Sequence, residues 1–147
     1  MKGVWDVKKE VDRIKRVVSA SLEATAVFLK DDAVRRIVDP PKTGRYYVGA
    51  PYRVGKPPHQ ASAPGESPAD DSGALKASGR VEKKSDFHFE VKFGGQGGVD
   101  YARDLEYGMP QLKNPLEPRP FLRPAVEEAR IKLPKILDLA SFYSKTL

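Results

Sequence analysis

The chain has 147 residues, the length of one ordinary domain. Hydrophobic residues make up 39% of it, so we expect a modest core with part of the chain outside it. The lack of cysteine excludes a disulfide scaffold, thiolate metal sites and cysteine catalysis. The formal net charge of +6 fits an acidic partner or nucleic acid, but the charges are interspersed, which favours a solvated surface.

Residues 4–38 predict one long helix. Apolar side chains recur at spacings of three and four, and glycine and proline are absent until Pro40 and Pro41 end the helix. This stripe is short for a coiled coil, so packing on a sheet or on a neighbouring subunit is the preferred interpretation. Its first members are Val4, Val7, Val11, Ile14 and Val18.

Residues 40–73 are rich in proline and glycine and cannot build a core of their own. The segment is either disordered or an arm that becomes ordered on a partner, and its tyrosines favour the arm because aromatic residues are scarce in plain linkers. Residues 46–48 are compatible with a short strand. The predicted partner contacts of the arm are Thr43, Gly44, Arg45, Tyr46, Tyr47, Tyr52, Pro64, Gly65 and Pro68.

The stretch from residue 74 to 93 predicts a helical turn capped by Ser72, followed by a β-hairpin. Apolar and polar residues alternate from Phe87 to Phe93, which indicates one buried face, and the turn is expected at residues 84–86. Four glycines between residues 94 and 98 predict a flexible loop.

Residues 99–108 predict a strand leading into a helical turn, and residues 121–145 predict a second helix that Pro134 should kink or divide. The predicted fold class is therefore α+β. It combines a small antiparallel sheet, a long N-terminal helix, a C-terminal helix and the arm at about 40–73, in a single domain over residues 1–147.

No constellation of residues predicts catalysis, a cofactor or a metal. His59 and His88 each lack a second ligand at useful spacing, and Asp70 and Asp71 fit a turn or helix cap. The glycine-rich loop lacks the lysine and hydroxyl residue of a phosphate loop. We therefore expect a protein that is not an enzyme. The N-terminus has no apolar signal core and no stretch approaches a membrane span, so we also expect a protein that is soluble when made and has no membrane partner.

Nucleic-acid binding is an alternative that the composition leaves open. Two arginines and three tyrosines lie close together in the chain, and such residues can stack bases: Arg45, Tyr46, Tyr47, Tyr52 and Arg53. No recognised nucleic-acid motif accompanies them, and an arm that binds protein uses the same residue types.

Four stretches of the chain resemble, in the same order, a family of phage minor tail components. These are Thr43-Gly44-Arg45, the Ser-Ala-Pro-Gly-Glu run and its surroundings at 59–78, the Tyr-Ala and Leu-Glu-Tyr-Gly pair at 101–108, and the Arg-Pro-Phe-Leu-Arg-Pro-Ala turn at 119–125. The chain departs from the family pattern at Ser72, where threonine is common, and at Gly108-Met109-Pro110, where a Gly-Thr step is common.

The resemblance implies a head–tail joining or tail-completion protein of long-tailed bacteriophages. The expected form is a homo-oligomeric ring, six copies by expectation, in the virion at the head–tail junction. Its expected partners are the tail-tube or tail terminator protein and the head connector or stopper protein, and the channel passes DNA. A tail terminator, which caps polymerisation of the tail tube, is the alternative of the same class. No catalytic residues come with the family.

The turn at 119–125 carries three residues for which the sequence predicts a role. Phe121 is expected to pack in the core, where the turn fixes how the last helix leaves the sheet. Arg119 and Arg123 have three open alternatives: capping carbonyls, pairing with Glu106, or facing the DNA channel of the ring.

Overall fold

The computed structural model describes residues 6–39, 41–48, 55, 58–95 and 97–144, with side chains as far as residue 135. It confirms the predicted α+β class: a long N-terminal helix, a C-terminal helix and two small antiparallel sheets. In chain order the elements are α1 (Val7–Val38), β1 (Tyr46–Tyr47), β2 (His59–Gln60), α2 (Ala74–Ala77), β3 (Arg80–Ser85), β4 (His88–Lys92), α3 (Ala102–Tyr107) and α4 (Leu122–Ser144).

Helix α1 is capped at its start by the side chain of Asp6, and a buried carboxylate with arginine partners lies near its end. The carboxylate of Asp6 accepts a hydrogen bond from the backbone N–H of Lys9 at 3.1 Å, which satisfies one of the donors left open at a helix start. Near its other end Asp32 is buried. Burial opposes the charge of this carboxylate, but hydrogen bonds from Arg35 and Arg36 outweigh it and lower the pKa of Asp32.

Strands β3 and β4 form the predicted hairpin, with Val81 opposite Val91 and Lys83 opposite Phe89. The turn lies at residues 86–87, later than expected. The predicted burial of Phe87 is therefore wrong: this side chain sits in the turn and is 52% exposed, whereas Phe89, Val91 and Phe93 are half-buried. Strand β4 packs against α1.

The segment between the hairpin and α3 is a tight loop, and the strand predicted from residue 99 is not formed. Gly94 has a φ of 79°, and a side chain there would meet the carbonyl oxygen of Val99 at 2.5 Å. Glycine is therefore required at this position by both backbone conformation and space. The loop turns the chain so that Val99 enters the core, where it is 2% exposed.

Helix α4 packs along α1 and runs through Pro134 as one helix, so of the two predicted effects, a kink or a division, the division does not occur. The core between the two helices and the hairpin is small and contains several alanines. Phe121 is its largest side chain, and its ring meets Phe93 edge to face with centroids 5.1 Å apart, as predicted for a core residue. The buried cluster is Ala33, Ile37, Leu75, Val99, Ala102, Phe121 and Ala125.

The described parts of the proline-rich segment are folded onto the body, so the predicted extended arm is not what they form. Tyr46 and Tyr47 pair antiparallel with Gln60 and His59. Beyond that short sheet, Ser62 and Pro68 are buried. The physical reason is that the backbone of residues 61–67 finds hydrogen-bond partners within the chain. Residues 49–54 and 56–57, with the predicted contact Tyr52, lie outside the described residues.

Truncation of the core aromatic tests this packing. We expect Phe121→Ala to lower the free energy of unfolding by about 3–5 kcal/mol, because the removed ring leaves a cavity that its neighbours cannot fill. Urea denaturation measures the change. Ile131→Ala on the same helix is the control, since Ile131 is 75% exposed and its truncation should change stability by less than about 0.5 kcal/mol. Equal effects of the two variants would contradict the described core.

Candidate functional site

The start of α4 is capped by a side chain from another helix. Both carboxylate oxygens of Glu106 in α3 accept backbone hydrogen bonds: Phe121 and Leu122 donate to Oε2 at 2.9 and 3.0 Å, and Arg123 donates to Oε1 at 2.8 Å. Glu106 is only 4% exposed. A negative charge at a helix N-terminus is favourable, and here it also satisfies three donors at the start of the helix.

The two arginines of the same turn have partners inside the chain. Nε of Arg123 lies 3.3 Å from Oε1 of Glu106, and its guanidinium stands over the ring of Tyr107 at 5.4 Å. Arg119 donates to the carbonyl oxygens of Ser62 and Glu117, each at 3.2 Å. Of the predicted roles, Arg123 therefore pairs with Glu106, and Arg119 caps backbone carbonyl groups. A channel-facing role for either stays a prediction.

A second carboxylate fastens the start of the proline-rich segment. Glu66 accepts backbone hydrogen bonds from Thr43 at 3.1 Å and Ala63 at 2.8 Å, and one from the hydroxyl of Thr43. These hydrogen bonds, the one from the Thr43 hydroxyl foremost, lower the pKa of Glu66 to about 2. Beside them Gly44 approaches the backbone of Ser62 so closely that a side chain at 44 would lie 2.6 Å from it. Any residue larger than glycine at position 44 would push the segments around Gly44 and Ser62 apart.

The Ser-Ala-Pro-Gly-Glu loop is in turn attached to the turn before α4. The backbone N–H of Gly65 donates to the carbonyl of Pro118 at 2.9 Å, and the hydroxyl of Ser67 donates to the carbonyl of Pro120 at 2.9 Å. Residues 43–45, 59–78, 101–108 and 119–125 therefore meet in one hydrogen-bonded network, which we call the four-segment junction. These are the four stretches singled out in the sequence analysis.

Residue Gly108 closes this junction on one side. Its φ is 75°, and a side chain there would lie 2.6 Å from the carbonyl oxygen of Leu116. The next residue, Met109, forms an isolated antiparallel bridge with Leu116. Residues 108–116 therefore form a closed loop that returns the chain to the turn at 119–125.

The predicted partner contacts divide into exposed and internal residues. Pro68 is buried in the single chain, and its predicted partner contact stays a prediction. Thr43 and Gly44 are held by internal hydrogen bonds. Tyr46 and Tyr47 are 58% and 38% exposed, and the guanidinium of Arg45 lies 5.5 Å from the ring centre of Tyr47. The exposed members of the predicted set are Arg45, Tyr46, Tyr47, Pro64 and Gly65, together with Thr43.

An exposed apolar face lies on α1, where the sequence predicted a covered face. No residue from Val7 to Ala20 is buried. We call Val7, Val11, Ile14 and Val18 the apolar stripe; their exposed fractions are 60%, 42%, 54% and 41%. The spacing was visible in the sequence, but nothing in the sequence showed that these four side chains remain exposed in the single chain.

An open groove lies beside α1 at Leu22 and Leu29. Its volume is about 380 Å³, and α1, β4 and α4 each contribute apolar side chains to its walls. We call it the apolar groove; its wall residues include Leu22, Leu29, Phe89, Val91, Leu122 and Val126.

Among the residues that the structure describes, no group of three or more histidine and acidic side chains could hold a metal ion. None of the described helices is both long and apolar enough to span a bilayer. Comparisons of the chain with protein-family models, with curated proteins and with solved structures find no match.

Removal of the cap on α4 should destabilise the fold. We expect Glu106→Ala to lower the free energy of unfolding by roughly 2–4 kcal/mol, because buried N–H donors lose their acceptor and Arg123 loses its partner. Glu106→Gln keeps one acceptor oxygen and should cost less. Chemical denaturation compares both with Glu117→Ala, an exposed position before the same turn. A loss no greater than that of the control would show that the cap is not needed.

The second carboxylate should make stability depend on pH. Because the folded pKa of Glu66 lies below its ordinary value of 4.5, its stabilisation is complete above about pH 4.5 and is lost as the pH falls toward 2. Glu66→Gln should therefore be less stable than the wild type near pH 6, with a difference that shrinks in acid. Urea midpoints across this range measure it, with Glu117→Gln as the control. A difference independent of pH would contradict the assignment.

Proposed function

We propose that this chain is a structural virion protein of a long-tailed bacteriophage, located at the head–tail interface. Copies of it form a ring that completes the tail, joins it to the head connector and leaves a channel for DNA. The tail terminator is the alternative role in the same class. The observation that carries the proposal is the four-segment junction. Short proline and glycine strings that match by chance have no reason to touch one another, whereas parts of one shared fold do.

Self-assembly is supported by the distribution of apolar side chains. The core is small, while four β-branched residues on one face of α1 remain exposed. Contiguous apolar surface of this kind is characteristic of a protein that buries it against a partner. A ring subunit needs such a surface on its outside, where neighbouring copies meet.

Docking to the other junction proteins is supported by the exposed edge at β1. Among the described residues no strand pairs with the other edge of β1, which carries Tyr46 and Tyr47, and Val48 follows with 70% exposure. An extended segment of a neighbouring protein can add a strand to such an edge, with aromatic side chains adding contact area. The proposed neighbours are the tail-tube or terminator protein and the connector or stopper protein.

A nucleic-acid-binding module is the candidate from a different class. The observation that favours it is the exposed pair of Arg45 and Tyr47 next to Tyr46, which is a possible stacking platform. Binding of the isolated protein to DNA that weakens steeply with salt would support this candidate, because released counterions dominate such binding. Assembly into rings that is indifferent to DNA would support the joining protein.

Virus particles assembled without this protein distinguish the roles. Electron microscopy should show filled heads and finished tails that remain separate if the protein joins them. Tails of abnormal length would indicate a terminator instead. Normal virions would refute both roles.

A further inference from the structure

We infer that a groove between β4, α3 and the first turns of α4 binds an acidic peptide segment of a partner protein. The groove has a volume of about 550 Å³, within the range that is typical of ligand sites. We call it the arginine groove because Arg80, Arg103 and Arg123 line it together with apolar side chains. All of its residues belong to one chain, so the site does not require the proposed ring.

The arginine groove carries guanidinium nitrogens that no other part of the described chain occupies. Arg103 is exposed on α3 and has neither a hydrogen-bond nor an ion-pair partner among the residues that the structure describes. Arg80 uses Nε for Glu82 and Nη1 for the carbonyl oxygen of Gly94, at 2.8 and 2.9 Å. Its Nη2 donates no hydrogen bond within the described ranges. Both side chains can therefore take an acceptor from outside the chain.

Arg123 is held in a fixed orientation at the edge of the same groove. Its Nε lies 3.3 Å from Oε1 of Glu106, and its Nη2 donates to the carbonyl oxygen of Glu106 at 3.1 Å. Its guanidinium also stands over the ring of Tyr107. The side chain is nevertheless 57% exposed, and Nη1 donates to none of the described residues. A guanidinium that is oriented before binding can receive a carboxylate at small entropic cost, and such charge-assisted hydrogen bonds are strong.

The side chains around the arginine groove leave an excess of positive charge. Those that line it include one carboxylate, the buried one of Glu106. Just outside the lining, Glu82 and Glu90 both pair with Lys92. Lys84 pairs with the same two carboxylates. Five positive side chains therefore stand against three negative ones, which favours an anionic partner. The five are Arg80, Lys84, Lys92, Arg103 and Arg123.

The apolar floor of the groove favours a protein segment over nucleic acid as the occupant. Phe93, Leu122 and Val126 line the groove and are half-buried. A sugar-phosphate backbone offers no apolar group to cover such side chains, and the ring of Tyr107 already carries the guanidinium of Arg123. A peptide can place an apolar side chain on this floor with carboxylates on either side of it. Recognition of acidic motifs by arginine clusters is a recurring mode of peptide binding.

Helix α4 leaves the arginine groove after its first turns. Val126 is the last of its described residues to line the groove, and Lys132 already lies over the ring of Phe28 in α1. The side chains of α4 are described as far as residue 135, so the remainder of the helix begins about 15 Å beyond Val126 along its axis. That remainder continues along α1 and away from the groove.

A synthetic peptide array, probed with the full-length protein, tests the class of ligand. Octapeptides with acidic residues on either side of a leucine are each matched with two versions. One version replaces the acids by asparagine and glutamine, and the other replaces the leucine by serine. We expect both replacements to weaken binding roughly tenfold, because the first removes the carboxylates that meet the arginines and the second removes the side chain that covers the floor.

Charge reversal locates the binding on the protein. Arg103→Glu should raise the Kd of the best acidic peptide at least tenfold in fluorescence anisotropy, since it removes a cation and adds a repelling carboxylate. Arg130→Glu changes the net charge equally, at a side chain of α4 that is 73% exposed and does not line the groove, and should change the Kd by less than about twofold. Arg103 is exposed, so both variants are expected to fold, and circular dichroism checks this.

Three results would overturn the inference. Acidic peptides that bind no better than their uncharged versions would remove the proposed ligand. Equal Kd values for Arg103→Glu and Arg130→Glu would place the binding outside the arginine groove. Random-sequence duplex DNA that binds more tightly than the best peptide, and loses its affinity in Arg103→Glu, would make nucleic acid the occupant. Ring formation and head–tail joining are measured separately, so failure of this site would leave the proposed function standing.

Discussion

The buried carboxylate of Glu106 is the interaction on which the rest of the fold depends. It receives the first backbone N–H groups of α4 and thereby fixes where that helix begins. The position of Phe121 in the core follows from this start, and so does the line along which α4 meets α1. A carboxylate of this kind is costly to bury alone, and the guanidinium of Arg123 and three backbone donors together make its burial tolerable.

Capping from a distant helix also explains the role of the proline-rich turn before α4. Prolines at 118, 120 and 124 restrict the backbone, so the N–H groups of residues 121–123 are held toward α3 at small entropic cost. The carbonyl groups of Pro118 and Pro120 then remain available, and Gly65 and Ser67 use them. This turn therefore positions both helix α4, which follows it in the chain, and the Ser-Ala-Pro-Gly-Glu loop, which bonds to it.

Much of the architecture could be read from the sequence, and the failures have identifiable causes. The bounds of α1, the hairpin and the core position of Phe121 follow from periodicity and from prolines, which act locally. The path of residues 58–73 could not be read, because composition counts apolar side chains and this segment is held by backbone hydrogen bonds and by Glu66. The predicted burial of Phe87 was wrong for a different reason. The alternation of apolar and polar residues continues through the turn in the sequence, whereas the burial of side chains stops there.

The apolar stripe and the two arginines of the turn could also be predicted only in part from the sequence. The spacing of Val7, Val11, Ile14 and Val18 indicated an apolar face, yet whether that face is covered depends on how far the sheet extends, which is a tertiary property. Arg119 and Arg123 had three possible roles in the sequence, and the structure supplies internal partners that no spacing rule specifies, since Ser62 lies far away in the chain.

The uninterrupted length of α1 has a mechanical consequence. Thirty-two residues make a rod of about 48 Å, and its buried side chains lie between Ser21 and Ile37. A tilt of about 10° about that region moves the N-terminal tip by roughly 4 Å without bending any backbone. Small adjustments in how α1 rests on α4 would therefore be magnified at the tip of the helix.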